Sequence, residues 1–115
     1  MSSGVVLLDK RGGISSAMAI AEVKRRLGVK RIGHAGTLDP FATGLLLCLI
    51  DGATRLAERV QGGHKVYTGE ILLGTTTSTD DITGSVLREG GKPPPFEEVQ
   101  AAISSFVGAI TQLPP

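Results

Sequence analysis

The sequence is poor in chemically distinctive side chains: one cysteine, two histidines and one tyrosine, with no tryptophan. The lone Cys48 excludes an internal disulfide and suits a reducing, cytoplasmic setting. It stands inside an apolar run, as a small core hydrophobe would. His34, His64 and Cys48 lack the spacing of a metal site, so neither a metal nor an organic cofactor is implied. No apolar run is long enough to cross a bilayer, and no basic-then-apolar leader opens the chain, so no membrane association is expected. An excess of one charge is missing too. Twelve lysines and arginines face eleven acids, and a net charge of +1 says nothing about nucleic acid. There is no internal repeat, low-complexity tract or linker. What remains is a chain with an apolar fraction of 41% that can form one modest domain around a single core.

The most informative stretch is Gly33 to Leu47, Gly-His-Ala-Gly-Thr-Leu-Asp-Pro-Phe-Ala-Thr-Gly-Leu-Leu-Leu. It sets His34, Thr37 and Asp39 among three glycines and then enters the apolar run Leu45–Ile50, which reads as a buried strand. Pro40 biases Asp39 towards extended backbone, stiffening the chain under the carboxylate. A reactive loop anchored by a rigid strand is one reading. Taken alone, the residues equally fit a surface turn in which Asp39 bonds nearby amides.

Before that stretch, Val5–Leu8 reads as a short buried strand closed by turn residues from Asp9 to Gly13. Ser15 or Ser16 can cap a helix running to Leu27, with Ile20, Val23 and Leu27 as its apolar stripe and Gly28 at its end. Lys24, Arg25, Arg26, Lys30 and Arg31 follow closely on one another. They are either a solvated helix end or a surface that touches phosphates. After the apolar run, Asp51-Gly52 reads as a turn, and Ala53–Gln61 as a short helix facing inward with Leu56 and Val60. Lys65–Leu73 has the alternation of a strand, with Lys65 and Tyr67 on one face. Tyr67 taken alone fits the edge of a core. Gly74–Gly84 is a threonine-rich loop with neither a phosphate-loop ending nor calcium-loop ligands. Ser85–Glu89 reads as a strand. Phe96, Val99, Ile103 and Phe106 form an amphipathic stripe, expected in the core, ending at Gly108.

Gly33–Leu46 resembles the signature of the TruB family of pseudouridine synthases. Gly4–Lys10, Lys65-Val66-Tyr67, Leu73–Thr77 and Asp80–Gly84 resemble that family's other segments and stand in its order. The sequence departs from the family at Arg11 and Ser15, where proline and threonine are usual. The resemblance implies an α+β fold, a mixed and largely antiparallel sheet with flanking helices. It implies isomerisation of the T-loop uridine (position 55) of tRNA to pseudouridine, with the T-stem loop as partner and no cofactor. Asp39 is the implied nucleophile, since a carboxylate of ordinary acidity is ionised at neutral pH and can hold base or sugar. Tyr67 is assigned to the target base. His34 enters the space left by the flipped uridine, and Lys65 is a substrate-facing or structural cation. Beside such a site Arg25, Lys30 and Arg31 become phosphate contacts.

Two other readings share these residues. One is a guide-RNA-dependent synthase within a ribonucleoprotein, though Phe41-Ala42-Thr43 looks more like the stand-alone tRNA enzymes. The other is a non-catalytic RNA-binding or tRNA-folding module. No pattern here specifies an oligomeric state. The family's later arginine, which pairs with the catalytic aspartate, has no counterpart here, and Arg55, Arg59 and Arg88 do not match its motif. Residues 1–115 are therefore expected to be the N-terminal portion of a catalytic domain and inactive alone.

Overall fold

A computed structural model describes residues 3–114, which form two compact units divided between Val66 and Tyr67. The first unit is a three-stranded antiparallel sheet in the order β1-β3-β2, formed by β1 (Gly4–Lys10), β2 (Ile32–Ala35) and β3 (Gly44–Ile50). The apolar run is the central strand, with Leu46, Cys48, Leu49 and Ile50 buried, but it is not buried throughout: Leu45 is exposed and Leu47 half-buried. Direct pairs such as Val6–Cys48–His34 and Leu8–Leu46 place these residues on one face. Helix α1 (Ser16–Leu27) packs on it, and Ala19, Leu46 and Cys48 form the core with Val6, Leu8, Ile14, Ile20, Val23, Ile32 and Leu38 around them.

β1 is not buried along its length. Val5 and Leu7 point away from α1 and are exposed, because only one face of this edge strand carries the helix. In α1 the inner positions are Ser16 and Ala19 with Ile20 and Val23 beside them, while Leu27 lies past the sheet and is exposed. Ser15 is the N-cap, its hydroxyl accepting from the Met18 N–H, and Gly28 closes the helix in the left-handed region at φ 63°.

Asp51-Gly52 opens a 3-10 helix (Asp51–Leu56) rather than a turn, and the helix beyond it, α2 (Ala57–Gln61), is shorter than the spacing predicts. Leu56 is exposed, while Asp51 and Ala53 are the buried residues. Asp51 holds a positive φ of 49°, fixed because its carboxylate accepts from the Arg31 N–H at 3.0 Å. Its own N–H donates to the Arg31 carbonyl, also at 3.0 Å. The 3-10 helix lies on the sheet face away from α1, where the Thr54 methyl is 3.8 Å from the position a Cβ would take at Gly33.

Lys65–Leu73, whose first two residues close the first unit and whose remainder opens the second, is not a strand. Its residues are exposed and irregular, because alternation specifies two faces but a strand forms only beside a neighbour that pairs its amides. The threonine-rich loop contains a strand instead, β4 (Thr75–Thr77), paired antiparallel with β5 (Val86–Glu89) through a register shift at Thr76/Thr77. Helix α3 (Phe96–Ser104) ends before Phe106. Its stripe is outside the core: Phe96 is 73% and Ile103 57% exposed, and only Val99 is half-buried. Periodicity makes the helix amphipathic, but a second element must cover the apolar face before it becomes core. Pro115 lies outside the described residues. The class is α+β, with antiparallel pairing in both sheets. No helix among the described residues is long and apolar enough to cross a membrane.

Candidate active site

Asp39 sits in the loop from Gly36 to Thr43 that joins β2 to β3. Its two neighbours are held from opposite sides. On the N-terminal side, the buried Ser16 hydroxyl accepts from the Leu38 N–H at 2.9 Å and donates to the Leu38 carbonyl at 3.0 Å. On the C-terminal side, the Pro40 carbonyl accepts from the Gly13 N–H at 2.7 Å and from the Lys10 ammonium at 3.1 Å. The Asp39 carbonyl accepts from the Ala42 N–H at 3.0 Å, closing a turn. The surface-turn alternative is correct for this backbone carbonyl. It fails for the side chain, which is exposed and makes no hydrogen bond among the described residues.

Lys10 is a site residue that the motifs do not single out. It is 1% exposed, and its ammonium donates to the Arg11 and Ile14 carbonyls, each at 2.8 Å, as well as to Pro40. A buried charge is tolerated only when its donors are used, and here three carbonyls use them. The one signal in the sequence is the period of two, which puts Lys10 on the inward face with Val6 and Leu8. Ser16 reads from the sequence only as a cap. Its contact with Leu38, 22 residues away, has no local signature.

His34 is in β2, opposite Cys48 and on the α1 face. It is half-buried, and its Nδ1 is shielded without a hydrogen-bond partner among the described residues. That argues against a turn histidine with both nitrogens satisfied, because a shielded polar atom left unpaired costs about 1–3 kcal/mol. Lys65 reaches the same loop. Its Cε and Nζ lie 3.7 Å from where a Cβ would stand at Gly36, a residue at φ 80°. The positive φ is what calls for glycine at Gly36, since 3.7 Å is an ordinary contact distance for the lysine. Lys65 is therefore brought to the loop that carries Asp39, and His34 stands in β2 two residues before that loop begins.

Arg25, Lys30 and Arg31 are not brought to this loop. The loop lies at the Gly44 end of β3, whereas Arg31 is bonded to Asp51 beyond the Ile50 end. α1 begins at the loop through Ser16 and carries Arg25 about 14 Å away along its axis. Arg25, Lys30 and Arg31 are exposed and form no ion pair among the described residues. Tyr67 is the first residue of the second unit, 69% exposed and in irregular backbone. Among the described residues, no three of His, Cys, Asp and Glu are grouped to hold a metal ion. Burial pushes the Cys48 thiol up, as befits a core residue rather than a nucleophile.

Residues 24–115 match the family model described as "TruB family pseudouridylate synthase (N terminal domain)". The chain is 48% identical to the tRNA pseudouridine synthase B of Moorella thermoacetica, over 100% of this chain and 38% of that protein. It is 44% identical to the protein of the same name from Streptococcus gordonii, over 98% of this chain and 39% of that one. For the Roseobacter denitrificans protein of that name the identity is 42%, with 98% and 37% covered. The chain thus spans under two-fifths of the length of these curated relatives. A family match over most of the chain, carried by relatives that align along nearly all of it, places this chain in the TruB family of pseudouridylate synthases.

Proposed function

We propose that this chain is the N-terminal portion of the catalytic domain of a tRNA pseudouridine synthase that isomerises the T-loop uridine at position 55. The observation that carries the reading is the clamp on Asp39. Ser16 grips Leu38, and Gly13 with Lys10 grips Pro40, while the carboxylate between them stays open to a ligand. A nucleophile must be exposed yet held, because small displacements from attack geometry cost rate steeply. The names of the relatives supply the reaction class and the RNA.

In the reaction, the bond from ribose C1′ to uracil N1 breaks, the base turns, and C5 joins C1′. C5 then loses its proton and N1 gains one, so no atom is lost and no cofactor is consumed. A carboxylate can begin this by adding to C6, by attacking C1′ or by removing a sugar proton, and each route needs Asp39 ionised and against the flipped uridine. Flipping costs a few kcal/mol. His34, beside the loop with an unpaired ring nitrogen, occupies the vacated space. Lys65 stands over Gly36 to meet a phosphate or the base, and Tyr67 stacks on the base. Arg25, Lys30 and Arg31, at the far end of α1 and β2, hold phosphates several nucleotides away and position the RNA without reading it.

The test is Asp39→Asn in the full-length protein on a bare tRNA transcript, with pseudouridine formation and tRNA affinity measured side by side. Turnover is expected to fall by about 10⁴-fold or more while binding stays within a few-fold. Retained turnover would remove Asp39 from the role. Wild-type protein that binds the transcript but modifies it only with a guide RNA, or never, would select the guide-dependent or the non-catalytic reading.

A further inference from the structure

The turn that grips Pro40 is built from Arg11, Gly12 and Gly13, residues with little stiffness of their own. It nevertheless bears directly on the catalytic loop. Gly13 donates to the Pro40 carbonyl, and a Cβ on Gly12 would stand 3.1 Å from the Phe41 carbonyl oxygen. Sway in this turn is passed to the residues just after Asp39. Packing does not restrain its outer side, because a cavity of about 220 Å³ lies between β1 and α1, lined in part by Leu8, Ile14, Ala19 and Val23. The link across the gap is ionic. Arg11 Nη1 donates to Glu22 Oε2 at 3.2 Å, and the other oxygen of Glu22 accepts from Arg26 Nη2 at 3.0 Å, one helical turn on. Arg26 thereby keeps the carboxylate aimed towards the turn, and the Arg11 hydrogen bond is the main reason the Glu22 acid is held below its ordinary range.

We propose that Arg11 and Glu22 form a positioning pair for the catalytic loop, tying the Lys10–Gly13 turn to α1 and through it fixing Pro40 and Asp39. The inference rests on the reading of Asp39 as nucleophile. Neither residue touches substrate, and the pair acts through the Gly13–Pro40 hydrogen bond. Its partners are solvent-facing, with side chains 66% and 26% exposed, so the effect is modest: about two- to fivefold in kcat.

The experiment uses the full-length protein, with kinetics on a tRNA transcript and hydrogen exchange at single amides. Arg11→Ala and Glu22→Gln are each expected to lower kcat about two- to fivefold with KM little changed. The double variant should be no worse than either single one, and Arg11→Lys should restore most of the activity. Arg26→Ala, which frees one oxygen of Glu22 but leaves the Arg11 contact in place, should lower kcat by less than Arg11→Ala. Exchange at the Gly13 and Ala42 amides should speed up in Arg11→Ala and Glu22→Gln, while the Ala19 amide inside α1 stays protected. Unchanged exchange at Gly13 would overturn the proposal. So would a raised KM with unchanged kcat in Arg11→Ala alone, which would make Arg11 a direct phosphate contact. A wild-type enzyme without turnover would strike down the synthase reading instead, and the exchange rates would still decide the pair.

Discussion

Lys10 and Ser16 do more to shape the candidate site than the loop residues that advertise it. Lys10 has three carbonyl acceptors and is almost wholly buried, so replacing it removes a charge and takes the donor from the Arg11 and Ile14 carbonyls, while Pro40 keeps only Gly13. Lys10→Met is expected to destabilise the full-length protein by about 3 kcal/mol, seen as a lower thermal midpoint, and to reduce turnover further at temperatures where it remains folded. A wild-type midpoint would mean that the buried ammonium contributes nothing net. Ser16→Ala should be milder for folding and sharper for chemistry. It frees both the N–H and the carbonyl of Leu38, and a loop loosened next to the nucleophile should lower kcat about tenfold with little change in tRNA affinity. Steady-state kinetics beside a binding isotherm would separate the two.

Among the elements, α1 and β2 form a basic end remote from the loop. If Arg25, Lys30 and Arg31 hold phosphates, replacing all three by serine should weaken binding to every RNA alike. The slope of log affinity against log salt should flatten by roughly 0.7–0.9 for each phosphate that is no longer neutralised. An unchanged slope would leave them as a solvated helix end. The β4–β5 turn gives a pH test. The Thr83 hydroxyl, the Thr79 hydroxyl and the Thr83 N–H all donate to Asp81 Oδ1 and hold its carboxyl below the ordinary range, Thr83 foremost. A lowered folded value means the unfolded chain binds the proton more readily. The contribution is therefore complete above the unfolded value and is lost as pH falls through the folded one. Asp81→Asn should weaken amide protection in β4 and β5 at neutral pH, and the difference from wild type should vanish in acid. A difference that persists unchanged into acid would assign it to shape rather than charge.

For the whole molecule, the described units leave much apolar surface open: Val5, Leu7 and Leu45 on the sheet, and Phe96, Ile103 and Phe106 along and after α3. The chain spans under two-fifths of its relatives' length. Residues 1–115 in isolation are expected to show no turnover of tRNA and to self-associate through these faces. Assay and sedimentation of the isolated segment beside the full-length protein would check both. Full turnover by the segment would show that every essential group lies within it.

The sequence is explicit wherever one segment decides its own structure. The unbroken run Leu45–Ile50 reads as a buried strand and forms β3, though Leu45 is exposed, and Ser15 or Ser16 with Gly28 mark the two ends of α1 because caps act on their own helix. The loop around Asp39 is legible from its glycines and Pro40. What the alternation of Lys65–Leu73 and the stripe of α3 could not say was whether anything lies beside them. Faces are encoded locally, but partners are not. The clamp on Asp39 is hidden for the same reason. Ser16 meets Leu38 and Lys10 meets Pro40 across 22 and 30 residues, contacts that exist only once α1 has packed on the sheet. The basic cluster shows the converse. Arg31 stands eight residues before Asp39 in the chain, yet β2 runs between them and carries the two to opposite ends of the sheet. The loop's chemistry could be read from its residues, but which groups hold the carboxylate and which stand apart from it was decided by the packing of the sheet against α1.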